Sequence, residues 1–182
     1  MIQRLCRMVL VVLLSLSSAA LAHDSNVATL KFIHLSSGKW GFELNAPLYG
    51  LDRSMRQINA DNKKDLVAGS KEYKELIVAY IKSGFDVTAL QRVDKGGKIT
   101  KKPIQLSLGK GRIKLGNHTT SMIFEVIGMP KNSDKVDFKL SYMSDDKAQQ
   151  NVLRLIDGER KARHTLDKIN DYSVSEVSFF KE

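Results

Sequence analysis

Residues 27–45 read VATLKFIHLSSGKWGFELN and show the clearest strand pattern in the chain. Apolar and polar residues alternate from Val27 to His34, and this period of two indicates a β-strand. The segment Ser36-Ser37-Gly38-Lys39 is typical of a turn, and the alternation resumes at Trp40. Pro47 ends the second run because proline cannot donate a hydrogen bond to a strand ladder. The stretch therefore predicts a β-hairpin.

Similar alternating runs recur through the rest of the chain and are separated by turn signals. They cover residues 85–93, 104–108, 119–127, 136–142, 152–156, 161–166 and 173–180. The dipeptide Asp157-Gly158 between two of these runs is a strong hairpin signal. Eight or nine strands at regular spacing predict a mainly β fold, an antiparallel β-sandwich that is immunoglobulin-like or similar.

One helix is predicted to interrupt the strands, near residues 71–83, where apolar residues recur at helical spacing. Ser70 can cap its N-terminus, and Gly84 stands where a left-handed glycine commonly follows a helix. The spacing of apolar residues from Leu51 to Ile58 also allows a short helix. The overall prediction is a β-sandwich with one inserted helix.

The composition is that of a folded, basic protein. Of 182 residues, 42% are hydrophobic and 27% are charged, which excludes wholesale disorder. The single cysteine, Cys6, excludes a disulfide scaffold and a CxxC-type zinc site. The formal net charge of +9 favours contact with anionic partners.

The first 22 residues have the layout of a secretory signal peptide. Arg4 and Arg7 precede a short apolar core, residues 8–16, and Ala20-Leu21-Ala22 is a small-x-small cleavage site. The core is much shorter than the roughly 20 residues that span a membrane. We therefore expect cleavage after Ala22, a periplasmic or secreted product with no transmembrane segment, and a single β-sandwich domain over residues 23–182.

The four histidines are the candidate metal ligands: His23, His34, His118 and His164. No two of them have the i, i+4 spacing of a helical metal site. Cleavage after Ala22 would make His23 the N-terminal residue, whose amine and imidazole together suit Cu(II) or Ni(II). A second histidine would complete the site. His34 is the preferred candidate because it ends the first strand, but the N-terminus would have to fold back to reach it, and His118 or His164 could instead approach from another strand. The alternative is that no cofactor binds and the histidines are hydrogen-bonded structural residues.

A basic stretch is the candidate site for binding an anionic surface. It comprises Lys95, Lys98, Lys101, Lys102, Lys110, Arg112 and Lys114. If its two segments form neighbouring strands, they make one positive patch that could meet phospholipid, lipopolysaccharide or acidic glycans. The alternative is a solvated edge whose charges prevent sheet pairing. Nucleic acid is not an expected partner, because the stretch has no interleaved aromatic residues and export removes the usual partner.

Catalytic signals are weak, and no catalytic residue is assigned. Asp145 and Asp146 could be paired carboxylates, but their polar neighbours favour a solvated turn or a helix cap. There is no G-x-S-x-G motif, and Gly109-Lys110-Gly111-Arg112 lacks the spacing of a phosphate-binding loop.

The chain resembles a family of small exported bacterial β-sandwich proteins that form a domain of unknown function. The resemblance rests on Asp145–Asn151, the strands that follow it, the segment Tyr80-Ile81-Lys82-Ser83-Gly84-Phe85, and a histidine directly after the signal peptide. It implies a β-sandwich and brings no activity or cofactor. A weaker similarity is to the exported domain of HupE/UreJ-type permeases, which begins with Ala-His and is linked to nickel, although the transmembrane helices of those permeases are absent.

Together these patterns predict an exported, non-enzymatic protein that binds a partner at the cell envelope, either an envelope protein or an anionic surface. Two alternatives stay open. One is a periplasmic protein that handles Cu or Ni through His23. The other is an envelope hydrolase whose catalytic residues are dispersed along the chain.

Overall fold

The computed structural model describes residues 26–60 and 66–178. The predicted signal peptide, His23 and the last four residues lie outside the described residues. The described strands are β1 Val27–His34, β2 Trp40–Pro47, β3 Asp86–Lys95, β4 Lys98–Gln105, β5 Ser107–Leu115, β6 Thr119–Ile127, β7 Ser133–Lys139, β8 Gln150–Asp157, β9 Arg160–Leu166 and β10 Ser173–Ser178. The described helices are α1 Leu48–Asn59, α2 Lys71–Ser83 and a 3-10 turn, Lys168–Asn170.

The strands form two sheets that pack face to face, which confirms the predicted β-sandwich. The six-stranded sheet has the order β5-β6-β2-β1-β8-β9, and the four-stranded sheet has the order β10-β7-β3-β4. The predicted hairpins join β1 to β2 and β8 to β9, and a further hairpin joins β3 to β4. The described strand pairs are antiparallel, as predicted, with one exception. β1 and β8 pair in parallel, with Thr29 opposite Val152.

Aromatic side chains hold the two sheets together. The ring of Phe32 on β1 meets that of Phe138 on β7 edge-on, with centroids 5.2 Å apart. Phe42 on β2 meets Phe85 in the same manner at 5.1 Å. Such offset or edge-on pairs are favoured over stacked sandwiches of rings. All four side chains are buried, so the apolar side of the alternating pattern faces the core.

The helix predicted near residues 71–83 is α2, with the same bounds. The Ser70 hydroxyl accepts a hydrogen bond from the Tyr73 backbone N–H at 3.0 Å, which is the expected N-terminal cap. Ile77 is fully buried. A second helix, α1, precedes it and buries Leu51 and Met55, so the prediction of a single inserted helix was incomplete.

Glycine is needed at the end of α2 for a different reason from the one that the sequence suggested. Gly84 has φ −87° and ψ 4°, which any residue adopts, so it is not a left-handed cap. A Cβ atom on Gly84 would lie 2.8 Å from Cε1 of Tyr142. The residue is small because the tyrosine ring lies against the helix end.

Within the described residues, no helix has the length and apolar composition needed to cross a membrane.

Candidate anion-binding face

The six-stranded sheet turns one face to the core and the other to solvent. In β1, Lys31 lies between two fully buried residues and therefore projects from the outer face. In β8, Arg154 lies between two buried leucines and projects in the same direction. Because residues paired across strands project on the same side, the strand register extends this outer face over all six strands.

Eight basic side chains share this outer surface, which we name the basic face. They are Lys31, Lys39, Lys110, Arg112, Lys114, Arg154, Lys161 and Arg163. The acidic side chains that the described strands place there are Glu43 and Glu125. Eight cations against two carboxylates make the basic face strongly positive.

Three of these cations lie side by side in one row. Lys31 on β1 is paired with Arg154 on β8, and Arg154 is paired with Arg163 on β9. Neighbouring strands are about 4.8 Å apart, and like charges directly opposite each other destabilise a sheet. Without an anion to offset it, this row therefore weakens the pairing of β8 with its neighbours.

Two of the eight cations are neutralised within the face. Lys31 Nζ lies 2.7 Å from Glu43 Oε1, and Lys39 Nζ lies 2.9 Å from Glu125 Oε1. Partial burial raises the pKa of Glu43, but hydrogen bonds from Lys31 and Asn45 outweigh it and hold the pKa below its ordinary value. Among the described residues, the other six cations have no ion pair: Lys110, Arg112, Lys114, Arg154, Lys161 and Arg163.

The basic stretch predicted from the sequence is divided between the two sheets. Lys110, Arg112 and Lys114 lie on β5 and belong to the basic face. Lys95, Lys98, Lys101 and Lys102 belong to the β3–β4 hairpin of the four-stranded sheet. β4 and β5 do not pair with each other, so the condition for one patch made of neighbouring strands is not met.

The half of the basic face that comes from β1, β8 and β9 was not predicted from the sequence. Lys31 lies more than a hundred residues before Arg154, Lys161 and Arg163 in the chain, although the register places it on the same face as them. A signal was present, because Lys161 and Arg163 alternate along β9. That alternation could not show which strands lie beside it.

No family model matches the chain, and no curated protein matches its sequence. The resemblance to exported proteins of unknown function therefore stays a prediction. The structure does show the role of Asn151, the last residue of the segment Asp145–Asn151 on which that resemblance partly rests. Asn151 is fully buried, and its amide donates to the carbonyl oxygens of Leu140 and Tyr142 at 2.9 and 3.1 Å. Its own carbonyl accepts a hydrogen bond from Gln149.

His34 lies at the end of β1 and has partners of its own. Its Nδ1 is 2.8 Å from Asp157 Oδ1, and its ring stacks on Trp40 with centroids 4.7 Å apart. The carboxylate and the indole together fix the orientation of the imidazole. This arrangement fits a hydrogen-bonded structural role for His34, which the sequence left open as the alternative to metal binding.

His118 lies at the opposite end of β2 from His34. It lines a pocket of about 540 Å³ together with Val27, the first residue of β1. Asp52, Arg56 and Tyr73 form a polar network on another wall of this pocket. Asp52 accepts hydrogen bonds from Arg56 Nε at 2.7 Å and from the Tyr73 hydroxyl at 3.2 Å.

The polar side chains of this network form hydrogen bonds with one another. Burial, and then the adjacent Asp52 carboxylate, raises the pKa of Tyr73 to about 12. The phenol is therefore protonated at neutral pH and acts as a donor to Asp52. The polar side chains that line the pocket outside this network are Tyr49, Asn117, His118 and Thr119.

His164 lies on the inner side of β9, opposite Leu153. Its Nε2 is buried and has no hydrogen-bond partner among the described residues. The structure does not bring His34, His118 and His164 together. Across residues 26–60 and 66–178, no group of three or more His, Cys, Asp or Glu side chains could hold a metal ion.

Asp145 and Asp146 lie in a turn, as expected, but they are not merely solvated. Arg53 on α1 donates from Nε to Asp145 at 3.0 Å and from Nη1 to Asp146 at 3.1 Å. Ser54 also donates to Asp145, at 2.8 Å. The two carboxylates therefore attach the turn to α1, which accounts for them without acid–base chemistry.

Proposed function

We propose that this protein binds an anionic lipid surface at the cell envelope through the basic face. The observation that carries the proposal is the row Lys31–Arg154–Arg163, in which three cations lie on adjacent strands and, among the described residues, only Lys31 has an acidic partner. An anionic surface would offset the repulsion within that row.

A surface, more than a small anion, matches the geometry of the basic face. Its unpaired cations extend from β5 at one edge of the sheet to β9 at the other. Apolar side chains lie between them, among them Ile33, Ile123 and Ile127. Cations interleaved with aliphatic side chains suit the boundary between lipid headgroups and acyl chains.

The cellular location of this activity rests on residues 1–22. Their signal-peptide pattern supports export to the periplasm or beyond, where the protein would meet envelope lipids. Intact-mass measurement of the exported protein tests this point. We expect a chain that begins at His23, and a mass that retains the first 22 residues would contradict it.

Vesicle co-sedimentation tests the binding proposal. The exported protein is mixed with vesicles of phosphatidylcholine that contain 30% phosphatidylglycerol, about the anionic content that makes electrostatic adsorption measurable. The variant Arg154→Glu/Arg163→Glu reverses two cations of the row. The matched control, Lys98→Glu/Lys102→Glu, makes the same change in net charge on the β3–β4 hairpin. We expect at least a tenfold loss of binding for the first variant and less than a twofold loss for the control.

Binding should also weaken as salt rises, because the Debye length falls to about 8 Å at physiological ionic strength. Equal losses in the two variants would show that net charge alone governs adsorption, and the basic face would then not be the site. Failure of the unsubstituted protein to bind these vesicles at low salt would reject the proposal itself.

A second candidate function, handling of Cu or Ni through His23, is favoured by one observation. Val27 and His118 line the same pocket, and His23 precedes Val27 by four residues, which reach at most about 14 Å. Of the three other histidines, His118 is therefore the one that this geometry favours as the second nitrogen ligand. His34 is held by Asp157 at the far end of β1.

Competition titration with Cu(II) tests this candidate. The exported protein is compared with a version extended by one N-terminal glycine, with His118→Ala, and with the control His164→Ala. The metal proposal predicts at least a tenfold weaker affinity for the first two and no change for the third. Equal affinity for all four proteins would end it.

A further inference from the structure

A groove crosses the basic face at β2, and it has an apolar interior with a cationic rim. Its volume is about 700 Å³, within the range of pockets that hold small-molecule ligands. The apolar part includes Ile33, Leu35 and Ile123, and the cationic part includes Lys110 and Arg112. This juxtaposition of apolar walls and free charge is the chemistry that recognises an amphipathic anion.

The groove exists because β2 carries a glycine at its floor. Gly41 lies on a central strand, paired with Ile33 on one side and Glu125 on the other. Its φ is not in the left-handed region, and a Cβ atom there would meet its nearest neighbour at 3.8 Å, an ordinary contact. Neither backbone conformation nor packing therefore requires glycine at this position.

The second glycine of the groove provides a contrast. A Cβ atom on Gly111 would lie 2.2 Å from Cδ1 of Phe124, so the fold itself requires glycine there. Where the fold does not require glycine at a position inside a strand, a glycine there is typical of a place where a ligand approaches the backbone closely. Gly41 is such a residue, and a branched side chain such as that of valine would fill the groove.

The charges around the groove favour an anionic headgroup. The groove also contains Glu43 and Glu125, but each is paired with a lysine, at 2.7 and 2.9 Å. Among the described residues, Lys110 and Arg112 have no such partner. The net charge that faces a ligand is therefore positive and concentrated on β5.

We propose that the groove at Gly41 holds the acyl chain of a single-chain anionic lipid, with the anionic headgroup at Lys110 and Arg112. This inference rests on the proposed function and deepens it, because it adds a site for one lipid molecule within the face that adsorbs to a lipid surface. The aliphatic side chains of Ile33, Leu35 and Ile123 would contact the chain.

Calorimetric titration with dodecanoate tests the groove. Acetate has the same headgroup without the chain, and dodecyl maltoside has the same chain without the charge, so both serve as ligand controls. We expect binding of dodecanoate at least tenfold tighter than that of either control. Gly41→Val, which fills the floor, should weaken dodecanoate binding at least tenfold, whereas Gly41→Ala should weaken it less than threefold.

Thermal melting distinguishes a filled groove from a damaged fold. Gly41→Ala should raise Tm by about 2 °C, since glycine is unfavourable inside a strand, and Gly41→Val should melt no lower than the unsubstituted protein. If Gly41→Val does not fold, Lys110→Glu/Arg112→Glu provides the second test, because these exposed side chains can be reversed without altering the core. That variant should also lose dodecanoate binding at least tenfold.

The outcomes separate this inference from the proposed function. Gly41→Val leaves the charges of the basic face unchanged, so it should retain vesicle binding. Vesicle binding without dodecanoate binding would overturn the groove alone. Dodecanoate binding that is unchanged in both Gly41→Val and Lys110→Glu/Arg112→Glu would overturn it as well, since the ligand would then bind elsewhere.

Discussion

A glycine can be required by a left-handed backbone or by a lack of space for a Cβ atom, and Gly84 is required by the lack of space. The glycine that ends α2 has an ordinary backbone conformation, and its hydrogen atom faces the ring of Tyr142. The Tyr142 hydroxyl donates to the carbonyl oxygen of Ile81 at 2.9 Å, which holds the ring in place. We expect Gly84→Ala to lower the free energy of unfolding by about 1–3 kcal/mol, the usual cost of overpacking, as measured by urea denaturation.

Gly50 in α1 is the matched control for this substitution. A Cβ atom there would lie 3.4 Å from Sδ of Met143, a flexible side chain that can move. Gly50→Ala should therefore stabilise the protein by up to about 1 kcal/mol, because alanine favours a helix. Equal destabilisation by both substitutions would contradict the role given to Tyr142.

Asn151 satisfies backbone groups that no strand ladder reaches. Its amide bonds the carbonyls of Leu140 and Tyr142, which lie just beyond β7. Asn151→Ala leaves these acceptors without their donor, and we expect a loss of about 2–3 kcal/mol in the free energy of unfolding. Gln150→Ala changes the exposed neighbour and should stay within about 0.5 kcal/mol. Similar losses in the two variants would show that the buried hydrogen bonds contribute little.

For single residues, the local sequence predicts only those roles that depend on nearby residues. The Ser70 cap was predictable because its acceptor and donor are three residues apart. The cause of Gly84 and the partners of Asn151 were not, because they depend on contacts formed only after the sheets pack. The role of Asp145 also depends on Arg53, on a helix far away in sequence.

Among the elements, α2 is the one whose packing the sequence describes best. Its apolar stripe places Tyr73, Ile77 and Ile81 in the core. Ile77→Asp would bury a carboxylate without a partner, and we expect it to cost several kcal/mol, about 3 or more. Ala79→Asp introduces the same charge on the exposed side of the helix and should cost less than about 1 kcal/mol. Urea denaturation of both variants measures the difference, and near-equal costs would contradict the packing of α2.

Most strand positions were predictable for the same reason as α2, although the predicted run 104–108 spans the end of β4 and the start of β5. Strand pairing was predictable only for hairpins. Alternation depends on neighbouring residues, and a short turn such as Asp157-Gly158 sets the register of the strands that it joins. The parallel pairing of β1 with β8 joins segments near opposite ends of the chain. No local signal specifies such a pair, since it is chosen by the burial of whole sheet faces.

The basic face is a property of the whole molecule because it depends on how distant strands pair. Its cations come from four strands and from the turn between β1 and β2, and the sheet order brings β5, β1, β8 and β9 onto one surface. The sequence predicted the cations of β5 correctly as an exposed basic group, but grouped them with lysines of the other sheet. Charge patterning along a chain shows how much charge a surface can have, whereas sheet order determines where it accumulates.

Glu43 connects the charge of this face to the pH dependence of the whole fold. Its pKa in the folded protein is lowered, so the unfolded chain binds a proton more readily than the folded one. The stability that Glu43 contributes is therefore fully present above its ordinary pKa of about 4.5. It is lost as the pH falls below that value, through the lowered pKa of the folded state.

We expect Glu43→Gln to lower Tm at pH 7 and the difference from the unsubstituted protein to shrink as the pH falls from 6 to 3. The substitution also removes the acidic partner of Lys31, so the row Lys31–Arg154–Arg163 gains effective charge. At pH 7 the same variant should therefore bind anionic vesicles more tightly, although it is less stable. Glu159→Gln, in the exposed turn between β8 and β9, makes the same change in net charge outside the row and should alter Tm much less. A difference in Tm that stays constant from pH 6 to pH 3 would contradict the assigned role, since a contribution that depends on an ionised Glu43 must vanish when the carboxyl group is protonated.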